Sequence, residues 1–239
     1  MDEREPLHLH PTTELAERVL LPGDPGRALM LAQLLLEQPL MFNHNRGLWG
    51  YTGAASDGQP LTIQSTGMGG PSAAIVLHEL ISLGVRRAIR VGTCGALDGA
   101  LALGDLVLAR ESIAADGTSV ALGAEQITRG DERLTEALRG QLEGDGGPAH
   151  HVGRIVSTDI FYERDSNRSR EWRTDGAIAV EMEASTLFTL GAAAGAQVAC
   201  LLAVTDTFDA EGVRTRIAAD ALAPAAEAMG RAAAAALAV

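Results

Sequence analysis

The run AIAVEMEASTLF, residues 177–188, sets two acidic side chains, Glu181 and Glu183, inside an otherwise apolar stretch. A carboxylate facing a pocket accepts several hydrogen bonds and so suits the paired hydroxyls of a sugar. The plainer reading is a helix N-terminus that favours acid, with Glu183 in its first turn. That reading leaves Glu181 and its neighbour Met182 unexplained. A second group of residues suits a small anion: Arg27 follows the turn GDPG, Arg90 precedes the run GTCG, and Thr93 places a hydroxyl within it. Glycine turns let backbone N–H groups approach a ligand, a helix start adds the positive end of its dipole, and the guanidinium fork matches phosphate. Any one such turn ordinarily just joins a strand to a helix; their joint occurrence points to an anion site. Asp206 closes the apolar run ACLLAVTD. Burial there would raise its pKa from about 3.9 and let it carry a proton; taken alone, the segment reads as an exposed turn or capping aspartate.

Short apolar runs ending in glycine-rich turns alternate with helical spacing, the pattern of an α/β domain. The first unit is a strand over 18–22, the GDPG turn and a helix from about residue 27 to 36. The second is a strand over 61–66, the turn GMGG, and a helix opened by Pro71, a residue suited to a first helical turn. The third is a strand over 88–91, with GTCGAL as its turn, then a strand over 105–109. Further strands are expected over 154–158 and 197–205, and helices over 131–142 and 218–237. If Ala177–Glu181 ends a strand and a helix begins near Glu183, both carboxylates sit at a strand-to-helix junction, where polar groups converge on ligands. Residues 115–130 and 144–148 read as the least structured. With no internal repeat and no linker, residues 1–239 form one domain.

The formal charge of −12, from 19 basic against 31 acidic residues, argues against nucleic acid or an anionic membrane as partner. A bound anion must be small and met by a few placed arginines. The two cysteines, Cys94 and Cys200, have neither disulfide nor metal-ligand spacing, which fits a reducing, cytoplasmic setting. The charged N-terminus has no apolar leader core, and no stretch approaches the roughly 18 apolar residues of a membrane helix.

The ordered set LLPGDPGRA (20–28), NRGLWGYTG (45–53), STGMGGPSAAI (65–75), IRVGTCGAL (89–97), STDIFY (157–162), AVEMEAS (179–185) and AVTD (203–206) resembles the bacterial nucleoside phosphorylases, most closely the hexameric purine nucleoside phosphorylases. The resemblance runs from Leu7 nearly to the C-terminus and implies a central mixed β-sheet flanked by helices. It implies a phosphate site of Gly23, Arg27, Arg90 and Thr93, with Arg46 lent to the adjacent subunit. Met182 and Glu183 match the pair that contacts ribose, Val180 and Glu181 match residues lining base and ribose, and Phe161 matches the aromatic that packs on the base. Asp206 matches the acid that serves N7 of a purine while phosphate attacks the anomeric carbon. The only co-substrate implied is inorganic phosphate, without metal or organic cofactor. The oligomer implied is a hexamer built as a trimer of dimers.

Three positions depart from the family. Either His8 or His10 matches a histidine that reaches the neighbour's ribose, with spacing to the GDPG turn favouring His8. Either Arg214 or Arg216 matches an arginine that assists the acid, although an exposed helix is the default place for both. Thr205 stands where serine is common, which preserves its backbone role. STGMGGPS also resembles the uridine phosphorylase branch, but that branch carries a glutamine and an arginine after the FY pair. Here FYERDSNRSREW has Arg164 and Arg168 and no glutamine, and Asp206 is foreign to that branch. A nucleosidase would need no phosphate arginines. A non-catalytic nucleoside-binding protein on this scaffold is the remaining alternative.

Overall fold

Each glycine- or proline-marked start of the sequence becomes a helix start in the computed structural model, which describes residues 6–143, 148–163, 165–209 and 213–239. In chain order the elements are β1 (Arg18–Leu21), α1 (Pro25–Leu35), β2 (Glu37–Asn43), a 3-10 turn (Asn45–Gly47), β3 (Gly50–Ala54), β4 (Pro60–Gln64), α2 (Gly70–Ser82), β5 (Arg87–Ala96) and β6 (Leu106–Ala115). There follow α3 (Gly117–Ala121), β7 (Ile127–Arg129), α4 (Glu132–Leu142), β8 (His150–Thr158), α5 (Ser166–Thr174), β9 (Ala177–Glu181), α6 (Ala184–Ala194), β10 (Gln197–Phe208), β11 (Arg214–Arg216) and α7 (Ala219–Leu237). Asp24 caps α1 by accepting from the N–H groups of Gly26 and Arg27, and Asp131 caps α4 by accepting from Leu134. Such a cap contributes about 1 kcal/mol. Gly195, at φ 67°, ends α6 in the left-handed conformation that glycine adopts without strain.

The strands form one mixed sheet in which β5 is central, pairing in parallel with β1 and β10 and antiparallel with β9. Antiparallel pairing of β10 with β6, and parallel pairing of β6 with β8 and β8 with β9, returns the path to β5. Five strands therefore close on themselves, while β1, β4, β3 and β2 extend the sheet outward. One core lies under α2 and α6, where Val76, Leu77, Leu80, Leu187 and Phe188 pack with Val19, Leu21 and Leu202. The second lies under α1, α4 and α7, where Leu31, Leu138, Met229 and Leu237 meet Ile89, Val91 and Leu201. Burying one such side chain stabilises the fold by roughly 1.5–3 kcal/mol. Among the described residues no helix is long and apolar enough to cross a membrane.

Two expectations are corrected. The run GTCGAL does not turn after residue 91; β5 continues to Ala96, because β10 pairs with it as far as Gly95 and β9 pairs with Gly95 and Ala96. The stretch 115–130 is ordered as α3 and β7, with Asp116 accepting from the backbone and hydroxyl of Ser119 and from Thr186. Of the glycine-rich run 144–148, residues 144–147 lie outside the described residues.

Candidate active site

Strand parity explains the paired acids. Glu181 is the last residue of β9 and Glu183 stands two residues on, at the N-cap of α6, so both reach toward the same neighbour on β5, Arg90. Arg90 is 4 % exposed. Its Nε donates to Glu181 Oε2 at 2.9 Å, its Nη2 meets Glu183 Oε2, and its Nη1 is buried without a partner among the described residues. Burial alone would lower the Arg90 pKa, but the charges of Glu183 and Glu181 more than offset it and hold the guanidinium firmly protonated. Burial pushes the Glu183 carboxyl up, against the pull of Arg90 and with the push of Glu181.

Glycine makes room for this arginine. A Cβ on Gly92, two residues along β5, would fall 2.7 Å from both Cζ and Nη2 of Arg90. The sequence reading passed over Gly92; a glycine two positions from a buried arginine on a strand was the available signal, since i and i+2 share a face.

Glu181, which the resemblance sets beside base and ribose, is one of the two carboxylates on Arg90. Its carboxylate lies inside the protein, accepting from Arg90, from the Ser157 hydroxyl, and from the backbone N–H groups of Glu183 and Ala184 at 2.8 and 3.0 Å. It thereby caps α6, which the side chain of Glu183 does not do. Glu183 instead accepts from the backbone N–H of Gly69, the residue preceding α2, whose φ of 83° suits glycine. The other glycine turn is pinned to the same place: Gly67 donates to the carbonyl of Gly23 at 3.1 Å and Thr66 to that of Pro22 at 2.8 Å. Arg27 starts in α1 beside Gly23. Burial lowers its pKa, Asp24 opposes that, and the nearby charge of Arg90 lowers it further. Glu183 thus joins Arg90 to Gly69, the turn at Gly23 is pinned to the same loop, and Arg27 lies near enough to Arg90 to feel its charge. Thr93, further along β5, is half-buried and its hydroxyl makes no hydrogen bond among the described residues.

A second group forms where β10 leaves the ring. Asp206 is 5 % exposed and pairs in register with Arg216 on β11. Its Oδ1 accepts from Arg214 Nε at 2.7 Å, Arg216 Nη1 lies 3.1 Å from both its oxygens, and the Thr205 hydroxyl lies 2.8 Å from Oδ2. Both arginines therefore reach the acid, from a strand and not from a helix. The expected rise in the Asp206 pKa is also corrected. Burial does push it up, but the hydrogen bonds from Arg214 and Thr205 and the two arginine charges bring it below its ordinary value. These contacts favour the carboxylate form of Asp206. Phe161 lies 4.8 Å from Arg214 in cation–π contact and packs edge-on against Tyr162. A Cβ on Gly95 would lie 3.4 Å from Val180, 3.5 Å from Phe208 and 3.9 Å from Asp206, which sets Val180 and Phe208 beside the acid. Phe208, 46 % exposed, is another residue the sequence reading missed. Met182, between Glu181 and Glu183 in sequence, is half-buried.

Among the described residues His8 and Arg46 share no hydrogen bond or ion pair with either group, and their segments are joined to each other. The His8 ring is 2.7 Å from Glu79 on α2, which also accepts from the backbone N–H groups of Leu7, His8 and Leu9. The His8 carbonyl accepts from Asn45, the residue before Arg46. Arg46 is exposed, holds φ at 57°, and makes no hydrogen bond or ion pair among the described residues. A left-handed non-glycine backbone costs of order 1–3 kcal/mol and marks a conformation held for a reason. His10 points elsewhere, its Nε2 3.3 Å from the carbonyl of Leu7. Arg164 lies outside the described residues. Among those described, no group of three or more His, Cys, Asp or Glu side chains is placed to hold a metal ion.

Residues 17–239 match the family described as the Phosphorylase superfamily. The chain belongs to that family. A purine nucleoside phosphorylase, DeoD-type, of Alkaliphilus metalliredigens is 38 % identical over 206 residues, covering 84 % of this chain and 87 % of its own. The protein of the same name from Clostridium novyi is 39 % identical over 199 residues, covering 81 % and 84 %. Among solved structures, uridine phosphorylase from Vibrio fischeri ES114 in complex with 6-hydroxy-1-naphthoic acid superposes with a TM-score of 0.83 at 26 % identity, covering 94 % of this chain and 92 % of its own. The phosphorylase fold expected from the sequence is thus shown.

The Arg90 geometry yields a direct prediction. Gly92→Ala should displace the guanidinium, because a flexible arginine end yields more easily than paired backbone. Losing a charge-assisted hydrogen bond of about 1.5–3 kcal/mol predicts a rise in phosphate KM of roughly tenfold or more, read in steady-state assays with phosphate varied.

Proposed function

We propose that the protein catalyses reversible phosphorolysis of purine ribo- or deoxyribonucleosides, giving the free base and the pentose 1-phosphate. The observation that carries this reading is the buried Arg90 guanidinium, charge-balanced by two carboxylates yet keeping one donor unpartnered. A buried donor left unsatisfied costs about 1–3 kcal/mol and fits a group kept for a ligand. Phosphate would occupy that donor together with Arg27, the backbone of Gly23 and the hydroxyl of Thr93. Glu183, beside Met182, would then accept from the 2′- and 3′-hydroxyls of the sugar. The base would lie against Phe161, Val180 and Phe208, with N7 toward Asp206.

In the reaction a phosphate oxygen attacks C1′, the C1′–N9 bond breaks, and the bonding pair leaves with the purine. The sugar becomes cationic in the transition state, so bound phosphate stabilises it as well as attacking it. The departing base gains negative charge, which Asp206 meets with a proton taken up once substrate is bound. Arg214 and Arg216, whose side chains are 32 % and 58 % exposed, are free enough to shift toward the base as that happens. Inorganic phosphate is the sole co-substrate in this reading. The two free, buried cysteines support a reducing, cytoplasmic setting.

A uridine phosphorylase is the second reading, favoured by the structural likeness to the Vibrio fischeri protein. Asp206 with its two arginines, and the DeoD-type relatives, favour the purine. Release of free base from inosine, guanosine, adenosine and uridine, each with and without phosphate, decides. Phosphate-dependent release from purines is expected; release from uridine alone moves the protein to the second reading, and release without phosphate makes it a hydrolase.

The subunits should associate, in a trimer of dimers, with His8 and Arg46 completing a neighbour's site. Arg46→Ala and Asp206→Asn subunits, each inactive alone, should regain about a quarter of wild-type activity when co-expressed, because reciprocal two-fold sites leave one intact site per mixed pair. Mixtures no more active than their components would show that Arg46 serves its own chain.

A further inference from the structure

Behind Glu181 lies a set of buried serines that neither the family match nor the reaction above assigns. Ser112 on β6, Ser157 on β8 and Ser185 on α6 are all fully buried. The Ser157 hydroxyl meets Glu181 Oε1, Ser112 Oγ lies 3.0 Å from Ser157 Oγ, and Ser185 Oγ lies 2.9 Å from Ser112 Oγ. The backbone N–H of Ser185 also donates to Ser157 Oγ at 2.9 Å.

The directions of these bonds follow from counting protons. A carboxylate oxygen only accepts, so the single proton of Ser157 goes to Glu181. Ser157 must then accept from its other partners, the Ser185 N–H and the Ser112 hydroxyl. Ser112, having given its proton to Ser157, can accept from the Ser185 hydroxyl at 2.9 Å, which shares that proton with the Ile113 carbonyl at 3.2 Å. The Ser157 and Ser112 hydroxyls therefore point toward Glu181, with Ser185 behind them, and bonds in such a chain polarise one another. The chain ends on the carboxylate that holds Arg90 Nε at 2.9 Å.

We propose that Ser157, supported by Ser112 and Ser185, is a positioning residue for the phosphate grip: it fixes Glu181, which fixes the plane of the Arg90 guanidinium and so the direction of its free Nη1. This rests on the reading of Arg90 as the phosphate ligand. Without the Ser157 hydroxyl, Glu181 keeps its backbone donors on α6 but loses the bond that sets its rotation. The guanidinium then loses its orientation at Nε while Glu183 still holds Nη2.

The test compares the full-length wild type with Ser157→Ala, Ser157→Thr, Ser112→Ala and Arg90→Ala. Base release is measured with phosphate and nucleoside varied in turn, and the gain in Tm on adding inorganic phosphate alone is read beside it. Loss of one hydrogen bond to a charged group predicts a phosphate KM roughly tenfold higher in Ser157→Ala, with nucleoside KM changed less than about twofold. The phosphate-induced gain in Tm should shrink in step, and Ser157→Thr, which restores the hydroxyl, should recover most of both. Ser112→Ala keeps the bond to Glu181 and loses only its support, so a rise of about two- to threefold in phosphate KM is expected. It is the deciding variant should Ser157→Ala not fold, and no change in it would then overturn the proposal. Equal losses for both substrates, or an unchanged phosphate KM, in Ser157→Ala would overturn it while Arg90→Ala still abolished phosphate use. Normal phosphate use by Arg90→Ala would overturn the Arg90 reading and the proposal together.

Discussion

An arginine side chain removed from water must have its charge answered within a few ångströms, and the arrangement that answers Arg90 organises the site around it. Two carboxylates do so, Glu181 through Nε and Glu183 through Nη2. Desolvating two such charges costs several kcal/mol each, and the attraction repays this only where the remaining lone pairs are also satisfied. Here they are satisfied by the structure's own hinges. Glu181 accepts from the first N–H groups of α6, and Glu183 from the backbone at the start of α2. Arg90 therefore ties two helix starts to the central strand, and the glycine turn at Gly23 is pinned to the loop before α2. A charge cluster of this kind contributes little net stability. Its value is specificity of geometry, with Nη1 left without a partner among the described residues.

The ring of strands makes this geometry possible. Because β5, β10, β6, β8 and β9 close on themselves, residues distant in sequence arrive at one rim: Arg90 from β5, Glu181 from β9, Ser157 from β8 and Asp206 from β10. The two clusters differ in character. Arg90 is sealed and its partners are fixed, whereas Asp206 is held by arginines that are partly in solvent. That division suits a reaction in which phosphate must be held steady while a proton moves at the leaving group.

Much of this was legible in the sequence, for identifiable reasons. Glycine and proline marked the starts of α1 and α2, and the acids of the EME run stood at a strand-to-helix junction as their spacing suggested. What was missed depended on partners that no local pattern records. The GTCG run reads as a turn until the strands beside it are known, since only pairing with β9 and β10 keeps β5 extended through two glycines. The bonds of the Glu181 carboxylate to Arg90 and to the helix it caps join β9 to β5 and α6, which no local spacing records. The Asp206 carboxyl was expected to rise because burial was legible, whereas the arginines on β11 lie beyond a segment whose conformation the sequence did not reveal. Ser112, Ser157 and Ser185 are single small polar residues in apolar runs, with nothing in their spacing to mark them. Their connection exists only across three elements.

The most direct test of this account is a crystal structure of the protein with phosphate bound. The account predicts a phosphate oxygen within hydrogen-bonding distance of Arg90 Nη1, with Glu181 still on Nε and Glu183 still beside the guanidinium. Phosphate bound elsewhere with Nη1 still unpartnered, or an Arg90 that must leave Glu181 to reach the anion, would contradict it.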